Sequence, residues 1–200
     1  PAFDMHLPAM SLPGVFKTMP ETIPWNGPYI SVPDSATVTL PDDKGINIGL
    51  TWTGSELNPT NNERSVPLTF LKPLFEIQNC RFFSLQHGPA GDEIEKEGFS
   101  NKIIDMRSQM TDFGGTASLV LKLDLVISVC TSVAHLAGAM GKPTWIMLPL
   151  VADWRWLTHR EDTPWYPSAK LFRQSNSHGW STVVGRLAVE LQKWISNKQN

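Results

Sequence analysis

The chain carries no excess of either charge. Seventeen Lys and Arg stand against 19 Asp and Glu, a formal net charge of −2, whereas nucleic-acid binders usually show a basic excess. No nucleic-acid partner is therefore expected. Charged residues of both signs are scarce, at 18% against roughly 25% in soluble domains, while 41% hydrophobic residues suffice for a core. No run approaches the ~18–20 apolar residues of a membrane span, and no charged-then-apolar leader opens the sequence, so no membrane span is expected. Cysteine is limited to Cys80 and Cys130, which excludes a disulfide scaffold and fits a reducing, cytoplasmic compartment. There is neither a GxGxxG nor a Walker pattern, which disfavours a dinucleotide or a P-loop nucleotide. No carboxylate pair or histidine cluster has metal-ligand spacing, so neither metal nor cofactor is expected.

Tryptophan and proline, by contrast, are abundant, at 8 and 16 residues in 200. Half of the prolines (Pro1, Pro8, Pro13, Pro20, Pro24, Pro28, Pro33 and Pro41) fall in residues 1–41. Proline removes backbone donors and blocks helix interiors, so residues 1–43 read as an extended, irregular segment. Phe3, Leu7, Leu12, Val15, Phe16, Ile23, Trp25, Tyr29 and Ile30 make it too apolar for a solvated linker, and it should lie against something. The missing initiator methionine points to a processed product or an excised piece.

From residue 44 to 200 short apolar runs alternate with helical patterns. Strands are expected at 45–52, 81–85, 102–105, 125–129, 144–148 and near Leu171. Helices are expected from Pro67 to about Ile77, from Gly91 to Glu97, from Thr111 or Asp112 through Leu123, and from Ser132 to Met140. A last one is lined by Val183, Val184, Leu187, Leu191, Trp194 and Ile195. Strands apolar throughout, alternating with helices, predict an α/β Rossmann-like three-layer sandwich with a parallel sheet. Ligands in such sheets bind beyond the carboxyl ends of the strands.

Three segments at that edge hold candidate chemistry. In SVCTSVAHLAGAMGKP, residues 128–143, a strand runs into an Ala- and Gly-rich helix; its first amides, with the Thr131 and Ser132 hydroxyls, form a ready anion site. An ordinary capped strand–helix turn would read the same. In TWTGSELNPTNNERSVP, residues 51–67, a long polar loop carries Thr53, Gly54 and one basic residue, Arg64, followed by Ser65. Arg64 either clamps a phosphate or is a plain surface arginine. In SLQHGPAGDE, residues 84–93, Gln86 and His87 follow a strand and suit a base or ribose, with Asp92 or Glu93 accepting from sugar hydroxyls; a Gly-Pro turn is the alternative. DWRWLTHREDTPWYP, residues 153–167, reads as an irregular crossover pinned by Trp154, Trp156, Trp165 and Tyr166 more than as an acceptor platform. Arg155, His159, Arg160, Glu161 and Asp162 are then surface. Cys130 at a strand end reads as a small apolar filler.

The runs TWTG…ERS, SLQHGPA, LDLVISVCTSVAHLAGAMGKPTW and DWRWLTHREDTPWYPS resemble the carboxyl half of bacterial glycosyltransferases. They are similar to the catalytic region of tetratricopeptide-repeat proteins related to glycosyltransferase family 9, the heptosyltransferases, and more distantly to the O-linked N-acetylglucosamine transferases. The resemblance spans about residues 3–195. It implies a GT-B architecture, two Rossmann-like domains facing across a cleft, of which residues 44–200 would be the nucleotide-sugar-binding one. Residues 1–43 would be the tail of the amino-terminal domain and the interdomain crossing. It further implies that Thr131, Ser132 and His135 meet the donor diphosphate and that Arg64 and Ser65 match phosphate contacts. Gln86 and Gly88 would lie near the nucleoside. The substrate would be a nucleotide-diphosphate sugar, transferred without a metal, and the partners a missing amino-terminal domain or helical repeats. Three positions depart from the likeness: Cys130 stands where the family usually has Asp, His87 where Lys is common, and Asn58 where His is common. The chain is thus expected to bind a donor and, alone, to transfer nothing; the alternative is a non-catalytic nucleotide- or protein-binding module with a decayed donor site.

Overall fold

A computed structural model describes residues 2–34, 36–41, 44–175 and 179–199; Pro1 and the end of the amino-terminal segment at residue 43 lie outside them. Six strands form one parallel sheet: β1 (Ile46–Thr51), β2 (Cys80–Ser84), β3 (Ile103–Asp105), β4 (Leu125–Val129), β5 (Thr144–Leu148) and β6 (Ala169–Arg173). Their order is β3-β2-β1-β4-β5-β6, and every pair is parallel. The Rossmann-like sandwich expected from the alternation is present. Its order reverses between β1 and β4, so the crevice that such sheets use for ligands opens there.

Side chains alternate across the sheet with period two. On one face Ile48, Leu50, Trp52, Leu125, Ile127, Val129 and Met147 meet Leu68, Leu71 and Leu74, and the carboxyl-terminal helix through Val183, Val184, Leu187 and Leu191. On the other, Phe83, Leu85 and Val126 pack on Leu119, Val120, Val133 and Leu136. There, too, Ile146 and Leu148 pack beneath Trp156 and Tyr166. Gly49 lies on this second face because nothing larger fits: a Cβ there would come within 2.6 Å of both Leu85 Cδ1 and Leu123 Cδ1. Gly49→Ala is accordingly expected to cost about 1–3 kcal/mol through overpacking. A lower urea midpoint at unchanged denaturant slope is the readout, and equal midpoints would contradict it.

The helices are α1 (Leu12–Val15), α2 (Asn61–Arg64), α3 (Lys72–Phe75), α4 (Glu93–Lys96), α5 (Phe113–Lys122), α6 (Ser132–Ala139) and α7 (Gly179–Gln199). Asp112 caps α5 by accepting from the Gly115 amide at 2.7 Å. The helix expected over 67–77 is instead two pieces, a 3₁₀ turn at Leu68–Leu71 and then α3. Pro73 is the reason, for it has no amide to carry an α-helical bond back to the preceding turn. Likewise a 3₁₀ turn, Pro89–Asp92, precedes α4.

The amino-terminal segment divides in two. From Trp25 onward it is laid on the body: Trp25 joins the cluster under Tyr166, the Tyr29 amide donates to the Ala139 carbonyl at 3.0 Å, and Val38 is buried. Before that, Phe3, Met5, Met10, Val15, Phe16 and Met19 are exposed, so the expected packing holds only for the later part. The 153–167 segment is a strap, as its sequence suggests. Trp156 is fully buried, Arg173 of β6 donates to the Trp156 and Arg160 carbonyls, and Arg160 pairs with Asp162 at the surface.

Candidate functional site

The loops after β1, β2 and β4 enclose one cleft of about 1610 Å³ at the reversal point of the sheet. All ten residues singled out from the sequence line it: Thr53, Gly54, Arg64, Ser65, Gln86, His87, Gly88, Thr131, Ser132 and His135. Residues as far apart in sequence as Thr53 and His135 converge because the parallel sheet delivers every strand's carboxyl end to one edge.

The residue that organises the β1 loop is one that sequence reasoning passed over. Asn61, buried at the start of α2, accepts from the Gly54 amide at 3.0 Å and from Arg64 Nε at 3.2 Å. Its Nδ2 donates to Thr53 Oγ1 at 3.1 Å. Ser65 Oγ sits 2.6 Å from Thr53 Oγ1 and donates to the Asn61 carbonyl. Arg64 Nη1 reaches across to the Cys130 carbonyl at 2.8 Å. Gly54 is required by this arrangement, since a Cβ would fall on the Arg64 guanidinium and 2.7 Å from Asn61 Oδ1. The helical spacing Asn61–Arg64 inside an otherwise polar loop was the one available signal.

Arg64 differs in one respect from four of the other arginines. Arg107, Arg155, Arg160 and Arg186 each have a carboxylate partner; Arg64, among the described residues, is held by neutral acceptors alone. Its charge is fixed in place and uncompensated. Opposite it, Thr131 stands at the N-cap of α6 without bonding a helix amide, its hydroxyl turned to Ser128 Oγ at 3.2 Å. The Ala134 and His135 amides bond back to Thr131; those of Ser132 and Val133 have no acceptor among the described residues, and these two orphan donors line the cleft. Thr51, which also lines the cleft, has a buried Oγ1 with no partner among the described residues.

Gln86 is placed differently from a residue that reads a ligand with its carbonyl. Its Oε1 accepts from the Trp52 and Thr53 amides at 3.2 and 3.1 Å, and its Nε2 donates to the His87 carbonyl, so it braces the end of β1 against β2. His87 is exposed at the rim, with Nε2 3.4 Å from Thr116 Oγ1. Gly88 turns there with φ +71°. Of the two acidic candidates, Asp92 is engaged with Arg107 and Glu93 lines the cleft, where one oxygen accepts from Trp52 Nε1 at 3.0 Å. Asp153 and Arg155, paired at 2.9 Å, close the far side. Cys130 Sγ accepts from Trp156 Nε1 at 2.9 Å, and burial raises its thiol pKa. No group of three His, Cys, Asp or Glu among the described residues could hold a metal ion, and none of the described helices is long and apolar enough to cross a membrane.

His135 is half-buried, its Nδ1 2.9 Å from the Tyr166 hydroxyl and its ring stacked on Trp156. Burial first, and then Arg155, holds its pKa below the ordinary 6.5. As pH falls through that value the unfolded chain takes up this proton before the folded one, so the stability contributed by neutral His135 is complete above pH 6.5 and declines below it. The urea midpoint should therefore drop between pH 7.5 and about 5.5. His135→Gln should flatten that drop, and an unchanged pH slope in the variant would contradict the assignment.

No protein-family model matches the chain. Protein FlbA of Caulobacter vibrioides is 30% identical over 160 residues, covering 76% of this chain and 26% of that protein. The structure of E. coli ADP-heptose LPS heptosyltransferase II superposes with a TM-score of 0.56 at 15% identity, over 81% of this chain and 50% of that one. E. coli heptosyltransferase WaaC with ADP-2-deoxy-2-fluoro heptose gives 0.50 at 16%, over 80% and 45%. The chain thus spans about a quarter of the length of FlbA and half or less of the heptosyltransferases. Its fold is similar to one half of these heptosyltransferase structures, as the sequence resemblance implied.

Proposed function

We propose that this chain is a nucleotide-sugar-binding glycosyltransferase domain whose cleft holds the donor diphosphate. One observation carries the reading: the uncompensated Arg64 guanidinium is held in the same cleft as the orphan amides at the start of α6. Anions bind where helix amides and a fixed cation converge. Glycosyl transfer builds negative charge on a departing diphosphate, and donors already in place offset it without reorganising. Glu93, with one oxygen uncommitted, is positioned for ribose hydroxyls, and His87, Gly88 and Phe113 at the rim for the base. The ADP-sugar analogue named with heptosyltransferase WaaC is a ligand of this chemical class. The acceptor surface and the catalytic base are assigned to a second domain beyond this chain, so binding without transfer is expected of the chain alone.

Calorimetric titration with ADP, UDP and GDP tests this. Heat with at least one of them, abolished by inorganic pyrophosphate as competitor, supports a diphosphate site; no heat with any of them at millimolar concentration overturns it. Cys130 in place of the family's Asp favours a second reading, a decayed site. A gain in nucleotide affinity in Cys130→Asp would support that reading.

A further inference from the structure

Helix α6 carries His135, which lines the cleft, and Gly138 one helical turn further on. A Cβ at Gly138 would lie 2.5 Å from Tyr166 Cγ, so only glycine lets the Tyr166 ring rest against the helix. That contact delivers the Tyr166 hydroxyl to 2.9 Å from His135 Nδ1. Trp156 stacks on the imidazole with centroids 5.1 Å apart and planes 19° apart, which restrains the ring from turning over. Trp25 stands edge-on to Tyr166 at 6.3 Å, and the Tyr29 hydroxyl borders that of Tyr166. The strap thus meets the His135 imidazole through Trp156 and Tyr166, and residues 25–29 back Tyr166 from behind. The charged groups nearest the imidazole are Arg155 and Asp153, yet neither bonds the ring.

A neutral imidazole has one donor and one acceptor nitrogen, and the bond made by one decides the role of the other. Burial keeps His135 neutral near pH 7 and pushes the Tyr166 phenol well above its usual range, so the phenol keeps its proton. Of the two groups beside the Tyr166 hydroxyl, the Tyr29 hydroxyl and His135 Nδ1, the imidazole nitrogen is the stronger acceptor for its proton. We propose that Tyr166 donates to His135 Nδ1, holds the ring as the Nε2–H tautomer, and so presents a neutral N–H donor to a diphosphate oxygen in the cleft. Tyr166 is then a positioning residue, and Gly138 the gap that admits it. His135 acts as a hydrogen-bond donor and not as a base through Nε2. The diphosphate part of this inference rests on the donor-site reading above; the tautomer does not.

Long-range ¹H–¹⁵N correlation spectra of the ¹⁵N-labelled chain at pH 7.5 read the tautomer directly, with His135→Gln identifying the signals. The expected pattern is Nε2–H in the parent chain and a mixture of tautomers in Tyr166→Phe, which keeps the ring and its packing. Gly138→Ala, which keeps the hydroxyl and displaces the ring, should resemble Tyr166→Phe; if it fails to fold, Tyr166→Phe decides. An Nδ1–H signal in the parent, or an unchanged Nε2–H signal in Tyr166→Phe, overturns the proposal. ADP affinity should fall about three- to tenfold in Tyr166→Phe, the effect of one hydrogen bond. If none of ADP, UDP and GDP binds the parent chain, the donor-site reading fails while the tautomer result stands.

Discussion

Trp156→Ala is expected to lose about 3–5 kcal/mol of unfolding free energy, the range for deleting a buried large aromatic. Trp156 is fully buried in the strap. It packs in one cluster with Ile146, Leu148 and Tyr166, stacks on His135 and donates to Cys130 Sγ. Truncation empties a volume that the stiff sheet below cannot fill and removes the surface on which the imidazole lies. Against the roughly 5–15 kcal/mol that stabilises a typical domain, the loss is a large fraction of the whole. Urea denaturation followed by circular dichroism measures it, and Trp156→Phe, which retains most of the ring, should recover about half. A loss below about 1 kcal/mol in the alanine variant would mean that the strap does not contribute to the core in solution.

Arg64→Ala should weaken nucleoside-diphosphate binding by about ten- to a hundredfold. Hydrogen bonds to charged groups contribute about 1.5–3 kcal/mol, and each 1.4 kcal/mol is about a factor of ten. Stability should change far less, because the bonds Arg64 makes, to Asn61 Oδ1 and the Cys130 carbonyl, are at the half-buried rim of the loop. Arg64→Lys should restore only part of the affinity, since an ammonium group cannot hold both acceptors in the planar fork and still face the ligand. Calorimetry with ADP on the three proteins separates the outcomes. Equal affinities for parent and Arg64→Ala would remove Arg64 from the site and with it the observation on which the donor-site reading rests.

The parts of this molecule legible in its residues are those set by near neighbours in sequence. Leu125–Val129 is apolar but for Ser128, so it reads as a buried parallel strand, and small residues ending at Gly141 mark α6. Asp112 announces the start of α5 because capping is a bond to an amide three residues on. Even the cleft was within reach, because strand ends in such a sheet share an edge. Where local pattern failed, a backbone detail overrode it: Leu68, Leu71, Leu74 and Phe75 keep helical spacing, yet Pro73 between them breaks the helix.

Partnerships across the fold left no such trace. Asn61 looks like any loop asparagine until Thr53, Gly54 and Arg64 are seen bonded to it. Gln86 reads as a ligand contact and is a brace; Asp92 and Glu93 are equivalent on paper and separate because Arg107, 15 residues away, takes one of them. The tryptophan and proline excess is visible at a glance, but that Trp156 and Tyr166 seat one histidine depends on Gly138 lying opposite them in space. Periodicity, caps and glycines act over a few residues, and so sequence suffices for elements and their order. Hydrogen-bond partners, uncompensated charge and tautomer depend on which distant atoms meet, and only the folded chain brings them together.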